Sequence, residues 1–426
     1  MEKTAALRWS AHPWAPFEAG LEQPPRSGGG FVEYLPDFLS EAVERRHPTA
    51  VALSDDLYAH PEPAGQEMRS SQQIVELLRQ AGYQVEYPCP GYPTGFRAVL
   101  DNGPGPSVAI LTEYDSLPGL GHACGHNVHG SMSVLAAMAL ADVRQSLPGR
   151  IHVFGTPAEE EWGAKVGMSA QGFFDDMAAA LTIHSWSGGV STPDMDVLSL
   201  RCCTAQFSGL SAHTVAAPWT GHNALTAARK FLDLIDARRE CFPPHVYVNG
   251  VILDGGTCPN ILPDKATVRL ELRTDSRETL DPIDQIVRKC AQGACIAMDC
   301  QVSFTTQYED FYDMVRVPVL EDAVCSLYDA LALPRGPVLP PSVSSDVGNV
   351  SYRCPTIQPL LSICTTAHPL HTQQFREGTI LPEAHTAICQ GGKMIAALAY
   401  RVLTDAAFRQ AAADSWRSAR ESKFRL

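Results

Sequence analysis

Nine consecutive residues, Gly121-His122-Ala123-Cys124-Gly125-His126-Asn127-Val128-His129, hold three histidines and a cysteine. A thiolate and an imidazole two positions apart are natural ligands for a borderline-soft cation such as Zn²⁺. The glycines let the backbone turn tightly enough to aim both side chains at one point. A second group, Glu159-Glu160-Glu161, follows an apolar run at 151–154. One carboxylate of such a group can bind a metal while its neighbour takes a proton from water. His184 ends a further apolar run at 179–183, ahead of Ser185-Trp186-Ser187-Gly188, and is another ligand candidate. His371, in Pro369-Leu370-His371-Thr372, lies late in the chain with His368 as its rival. Each group also has a plain reading: a free cysteine among surface histidines, an acidic first helical turn, or a satisfied core histidine. The recurrence of ligand types after separate apolar runs favours the metal.

The elements that must position these groups follow from hydrophobic periodicity. Val108-Ala109-Ile110-Leu111, with Glu113 and Asp115 directly after it, reads as a buried strand, as do 151–154 and 179–183. Helical patterns at 131–143 and 164–176 separate them. Strands alternating with helices predict an α/β sheet, and ligand sites in such sheets gather at the carboxyl ends of the strands. Upstream, 31–46 and 66–81 read as helices, the second stopped by Gly82. Residues 1–30 end in three glycines and read as a flexible arm. Beyond 197 the pattern becomes strand (197–210), helix (223–236), strand (266–273), helix (284–298) and strand (301–306), then helices at 320–331 and 384–404. The expected architecture is an α/β domain with a smaller α+β domain inserted into it. The spans are 31–196 and 313–426 for the first and 197–312 for the second. No internal repeat is evident.

The chain has 426 residues, 45% of them hydrophobic and 19% charged, an ordinary globular composition. A net charge of −14 repels phosphate backbones and argues against a nucleic-acid partner. No run of about 18 apolar residues suggests a membrane span. The 13 scattered cysteines form no disulfide framework, and a reducing, cytoplasmic setting is expected.

Several stretches together resemble the amidohydrolase branch of the aminoacylase/carboxypeptidase/dipeptidase metallopeptidase family, the β-alanyl dipeptidase-like subgroup most closely. They are Tyr58-Ala59-His60-Pro61-Glu62, Glu113-Tyr114-Asp115-Ser116-Leu117-Pro118-Gly119, the 121–129 cluster, Pro157-Ala158-Glu159-Glu160, Ser211-Ala212-His213, Asp254-Gly255-Gly256-Thr257-Cys258-Pro259-Asn260-Ile261-Leu262-Pro263 and Ser345-Asp346-Val347-Gly348-Asn349. The resemblance implies hydrolysis of an amide bond in a small N-acyl amino acid or dipeptide-like molecule. It implies two divalent ions, Zn²⁺ first and Mn²⁺ or Co²⁺ as alternatives, held by Cys124 as bridge with His126, Glu160, His184 and His371. It makes Glu159 the general base and sets Asp115 behind the site to orient it. His213 would polarise the scissile carbonyl, often in the partner subunit's site, while Asn260 and Arg273 would hold the substrate carboxylate. The resemblance further implies a mixed-sheet catalytic domain with helices on both faces, an inserted α+β (ferredoxin-like) lid or dimerisation domain, and a homodimer joined through that domain. Two positions depart from the pattern: Glu161 stands where glycine is usual, and Leu210 where a basic residue is common. The same site could also serve a biosynthetic enzyme that trims or forms an amide, or the fold could serve a non-catalytic binding protein.

Overall fold

The computed structural model describes residues 35–423. The arm expected at 1–30 and the first residues of the helix expected at 31–46 lie outside them. In chain order the first elements are α1 (Asp37–Ala59), α2 (Met68–Gln80), β1 (Gln84–Glu86), β2 (Phe96–Asp101), β3 (Ser107–Thr112), α3 (His126–Asp142), β4 (Arg150–Gly155), α4 (Ala164–Ala170), β5 (Ala179–Leu181) and β6 (His184–Trp186). There follow β7 (Ser199–Ser208), α5 (Ala224–Arg238), β8 (Tyr247–Asp254), β9 (Lys265–Thr274), α6 (Arg277–Met298) and β10 (Gln301–Thr306). The chain closes with α7 (Pro318–Ala330), α8 (Val347–Ser351), β11 (Thr356–Ile357), β12 (Leu360–Ser362), α9 (Gln373–Gly378), α10 (Pro382–Thr404) and α11 (Ala406–Lys423).

The main sheet runs β1-β2-β4-β3-β5-β11. Strands β4, β3, β5 and β11 are parallel, while β1 and β2 join antiparallel, so the sheet is mixed. Alternate side chains of each strand leave on opposite faces. Val108, Ile110, Ile151, Val153 and Leu181 pack in one core with α1, α3 and α10. Ala109, Leu111, Phe154 and Ala180 belong to another core with α4 and α8. Burial on both faces is why these strands read as continuous apolar runs. Each such Val, Leu or Ile removes itself from water with a gain of about 1.5–3 kcal/mol.

The second unit has the order β10-β7-β9-β8, every neighbouring pair antiparallel. Its β-α-β-β-α-β succession is the ferredoxin-like arrangement. It has its own core, which includes Phe207, Phe231, Val268, Leu270, Ile283 and Val287. Asn223 caps α5 by accepting from the Thr226 amide. Where the chain enters and leaves this unit, the Leu200 and Phe311 backbones exchange two hydrogen bonds.

Several expected boundaries move. The first helix begins at Asp37 and continues through Pro48 to Ala59, and α6 begins at Arg277 and passes through Pro282. The helix expected at 164–176 ends at Ala170. The one expected at 131–143 begins at His126, which brings a ligand candidate into its first turn. Strand β8 was not anticipated: most of its residues are exposed, and Gly250 interrupts its apolar content.

Candidate metal centre

The ends of β3, β4 and β5, the start of α3 and the loop before α9 meet at one place. The ligand-type atoms of Cys124, His126 and His184 lie within 4.8 Å of one another, as do those of Cys124, Glu160 and His371, and those of His126, Glu159 and Glu160. Cys124 belongs to two of these groups. Residues spread over nearly 250 positions therefore converge, and the cluster is buried except at His371, whose side chain is 53% exposed and faces Glu160 Oε2 at 3.4 Å. That side is the mouth of the site.

Local backbone explains the convergence. Gly125 precedes α3 in a left-handed conformation (φ +84°), and a Cβ there would meet Ser185 Cβ at 2.6 Å. Only glycine fits the approach between the cysteine loop and the His184 strand. Ala158, directly before the carboxylate pair, has φ +61°, and His371 has φ +62°. Left-handed non-glycine residues cost on the order of 1–3 kcal/mol and persist where surroundings hold them. The Ala158 carbonyl accepts from the Gly163 amide at 2.7 Å, and the Ala158 amide donates to Glu67 Oε1 at 3.0 Å. The His371 amide donates to the Ala123 carbonyl at 2.9 Å.

Hydrogen bonds also orient the imidazoles. Asp115 Oδ1 lies 2.9 Å from His126 Nδ1, and Asp115 Oδ2 accepts from the Glu160 amide at 3.0 Å. A proton on Nδ1 leaves the Nε2 lone pair facing inward. His184 Nδ1 lies 2.8 Å from the Ser185 carbonyl, which leaves its Nε2 facing Cys124 Sγ at 3.4 Å.

The fit of this pocket to cations can be tested on its own atoms. His126 Nε2 stands 3.8 Å from each of Glu113 Oε2, Glu159 Oε2 and Glu160 Oε1. Buried His126 Nε2 and Glu160 Oε1 have no hydrogen-bond partner among the described residues. Two ligands each about 2 Å from a shared ion lie roughly 3–4 Å apart, the spacing found. Charge points the same way. The carboxylates of Glu113, Asp115, Glu159, Glu160 and Asp346 gather here with the thiol, and Lys165 is the permanently charged cation among them. Burial, then Glu113 and Glu160, pushes the Glu159 carboxyl well above its usual range. Burial, then Glu160, likewise raises the Cys124 thiol. A bound cation reverses that cost and deprotonates a coordinating thiol. The residues present therefore fit a pair of divalent metal ions.

The other sequence candidates lie in the second unit. His213 and Asn260 are neighbours: His213 forms a bridge with Ile261, and the Thr214 amide donates to the Asn260 carbonyl at 3.0 Å. His213 Nδ1 accepts from the Val215 and Ala216 amides, so its proton sits on Nε2 and is free to be donated. Arg273 is elsewhere. It lies eight residues beyond Lys265 along β9, roughly 27 Å at about 3.4 Å per residue, and its Nη1 donates to Ser344 Oγ at 3.1 Å. Asn260 lies in the loop before β9, and Arg273 lies near that strand's far end.

Sequence reasoning gave no role to four buried residues beside the centre: Glu113, His129, Lys165 and Asp346. Signals existed. His129 belongs to the histidine cluster, Asp346 to a quoted motif, and Lys165 is a lone charge in Ala164-Lys165-Val166-Gly167-Met168. Glu67, fully buried on the far side of the carboxylate loop, was missed as well.

Comparison with known proteins gives concordant results. Residues 105–388 match the model of peptidase family M20/M25/M40. The Xaa-Arg dipeptidase of Mus musculus is 31% identical over 404 residues, covering 89% of this chain and 92% of that protein. Among solved structures, the aminobenzoyl-glutamate utilization protein of Klebsiella pneumoniae superposes with TM-score 0.67 at 21% identity, over 86% of this chain and 97% of the other. A dinuclear metal-binding peptidase of Bacillus subtilis superposes with TM-score 0.64 at 19% identity, over 84% and 99%.

Proposed function

The chain belongs to peptidase family M20/M25/M40, and on that premise we propose that it is a metal-dependent hydrolase of an amide bond in a dipeptide or other small N-acyl amino acid. The observation that carries this is the convergence of Cys124, His126, Glu159, Glu160, His184 and His371 in a pocket with far more negative than positive charge. Cys124 would be shared between two ions, with His126, Glu160, His184 and His371 completing their ligands. Zinc suits a ligand set that joins a thiolate and imidazoles to a carboxylate. When bound, the ions would supply Lewis acidity that acidifies a water and polarises the scissile carbonyl.

The chain's own groups do the rest. Glu159, next to the ligand Glu160 but not needed as one, takes the proton of the attacking water and returns it to the leaving amine. Asp115 holds His126 in the tautomer that points Nε2 inward. His213, with its proton on Nε2, donates to the developing oxyanion.

His213 and Asn260 would act in the site of a second copy of the chain, while Arg273 acts with its own. Two features support that arrangement: Asn260 precedes β9 while Arg273 lies near its far end, and the second sheet has an apolar edge. Strand β8 is an edge strand, and its outward residues Tyr247, Val251 and Leu253 are all about half exposed. Unpaired apolar edges are templates for pairing between chains. No helix among the described residues is long and apolar enough to cross a membrane. Thirteen free cysteines, Cys124 among them, suit a reducing cytoplasmic compartment.

The retained, buried and charge-rich centre favours catalysis over a binding role. The test is to strip the protein with a chelator, reload it with Zn²⁺, Mn²⁺ or Co²⁺, and measure amine release. The panel should contain dipeptides, those ending in arginine or lysine first, and N-acyl amino acids. Release that vanishes on stripping and returns on reloading is the expected result; equal release without metal would reject the proposal.

A further inference from the structure

Lys165 is wholly buried on α4 beside the proposed centre. Its Nζ lies 2.5 Å from Asp346 Oδ1 and 2.8 Å from Glu113 Oε1, and its amide donates to Asp346 Oδ2 at 3.0 Å. The other oxygen of Glu113, Oε2, lies 2.9 Å from His129 Nε2. The tautomer of His129 follows from the backbone. The Ser185 amide donates to its Nδ1 at 3.2 Å, so Nδ1 is an acceptor and Nε2 carries the proton that Glu113 accepts. Glu113 is therefore held from two directions: Oε2 accepts from His129 Nε2, and Oε1 is ion-paired with the Lys165 ammonium, although it has no aligned hydrogen bond among the described residues.

That engagement matters because distance alone does not distinguish Glu113 from its neighbours. Its Oε2 is as near to His126 Nε2 as the nearest oxygens of Glu159 and Glu160, 3.8 Å in each case. Glu113, His126 and His129 even form a group of ligand-type atoms within 4.8 Å. A cation on His126 Nε2 would meet three carboxylates at equal range. Glu113 differs in already facing an ammonium group.

We propose that Lys165 is a built-in cation that holds Glu113 off the metal centre. The ammonium stands where a misplaced ion would otherwise be drawn, and Asp346 fixes the ammonium in place. Glu160 is left as the carboxylate that ligates, and Glu159 as the one that moves a proton. Lys165 is a positioning residue: it acts through Glu113 and touches neither substrate nor metal. A purely structural role explains less, because buried ion pairs are often no more stabilising than apolar groups of similar volume.

The inference rests on the metal centre proposed above, and cobalt(II) as a spectroscopic probe separates the two. Lys165→Met combined with Asp346→Asn removes the ammonium and its partner together, so that of this triad only Glu113 remains charged. The visible spectrum of the cobalt-loaded double variant should differ from wild type, and adding Glu113→Gln should restore the wild-type spectrum. An unchanged spectrum in the double variant, or a change that Glu113→Gln does not reverse, overturns the role of Lys165 and leaves the metal centre standing. Glu113→Gln alone is nearly isosteric and guards against a double variant that fails to fold. Its cobalt spectrum should match wild type, and an altered one would make Glu113 a ligand and overturn the proposal. A wild-type protein that takes up no cobalt overturns both readings.

Discussion

Glu67 offers the sharpest test of how this fold positions its carboxylate pair. The Glu67 carboxylate is completely buried and accepts from three donors: the Gly65 amide at 2.8 Å, the Ala158 amide at 3.0 Å and Thr94 Oγ at 2.8 Å. The Ala158 contact holds a left-handed alanine one residue before the proposed base. Glu67→Ala leaves these donors without their acceptor. A hydrogen bond to a charged group is worth about 1.5–3 kcal/mol, and a buried unsatisfied donor costs about 1–3 kcal/mol. Against this, a poorly solvated carboxylate is removed: burial, with Asp115 next, pushes the Glu67 carboxyl up to about 7. The balance is a loss on the order of 3 kcal/mol in denaturant unfolding. Ala158 then relaxes and Glu159 shifts with it. A displacement near 1 Å can cost about 10²-fold in rate, so kcat should fall roughly 10- to 100-fold with KM little changed. Glu67→Gln keeps an oxygen for both amides, and the Thr94 hydroxyl can turn to accept, so it should stay within about 1 kcal/mol of wild type. Ala158→Gly in the Glu67→Ala background should recover part of the stability, since glycine holds φ +61° without strain. Wild-type turnover in Glu67→Ala, or equal damage from Gln and Ala, would refute the clamp.

Other perturbations have equally definite outcomes. Glu159→Gln should keep its metal and lose on the order of 10²–10⁴ in kcat; metal analysis and steady-state kinetics check both halves. Val251→Lys places a charge on the exposed edge of β8 and should shift sedimentation toward the monomer. Turnover should fall with it if His213 serves the second copy. Asp194 is buried, and burial pushes its carboxyl up to about 8. The folded chain therefore holds a proton that the unfolded chain has released above about 4, and stability drops as pH rises through that window to about 8. Asp194→Asn should match wild type near pH 4 and exceed it at pH 9 by on the order of 1–3 kcal/mol in thermal or denaturant unfolding.

The legible parts of the chain were those where one physical demand dominates. Strands β3, β4 and β5 are largely apolar, His152 in β4 apart, because both faces are covered. The polar groups that follow them could be read because parallel strands deliver their ligands at the same edge. Strand β2 was missed because it alternates buried and half-exposed residues, with Arg97 among them. The helices expected at 31–46 and 284–298 stop short of Pro48 and begin beyond Pro282, yet packing carries α1 and α6 through both. Within the centre, Cys124, His126, Glu159 and Glu160 declared themselves through chemistry at short spacing. Lys165, Glu113 and Asp346 did not. They come from three separate elements, and only the packing of α4 and α8 joins them. Motif order also gave no warning that Asn260 precedes β9 while Arg273 lies near that strand's far end.

A paired metal centre built on Cys124 underlies all of the proposed chemistry. Elemental analysis of zinc-loaded, exhaustively dialysed protein tests it most directly. Two zinc ions per wild-type chain, falling below one in Cys124→Ala while the fold is retained, is the predicted result. Substoichiometric zinc in the wild type, or two ions retained without the thiol, would contradict it.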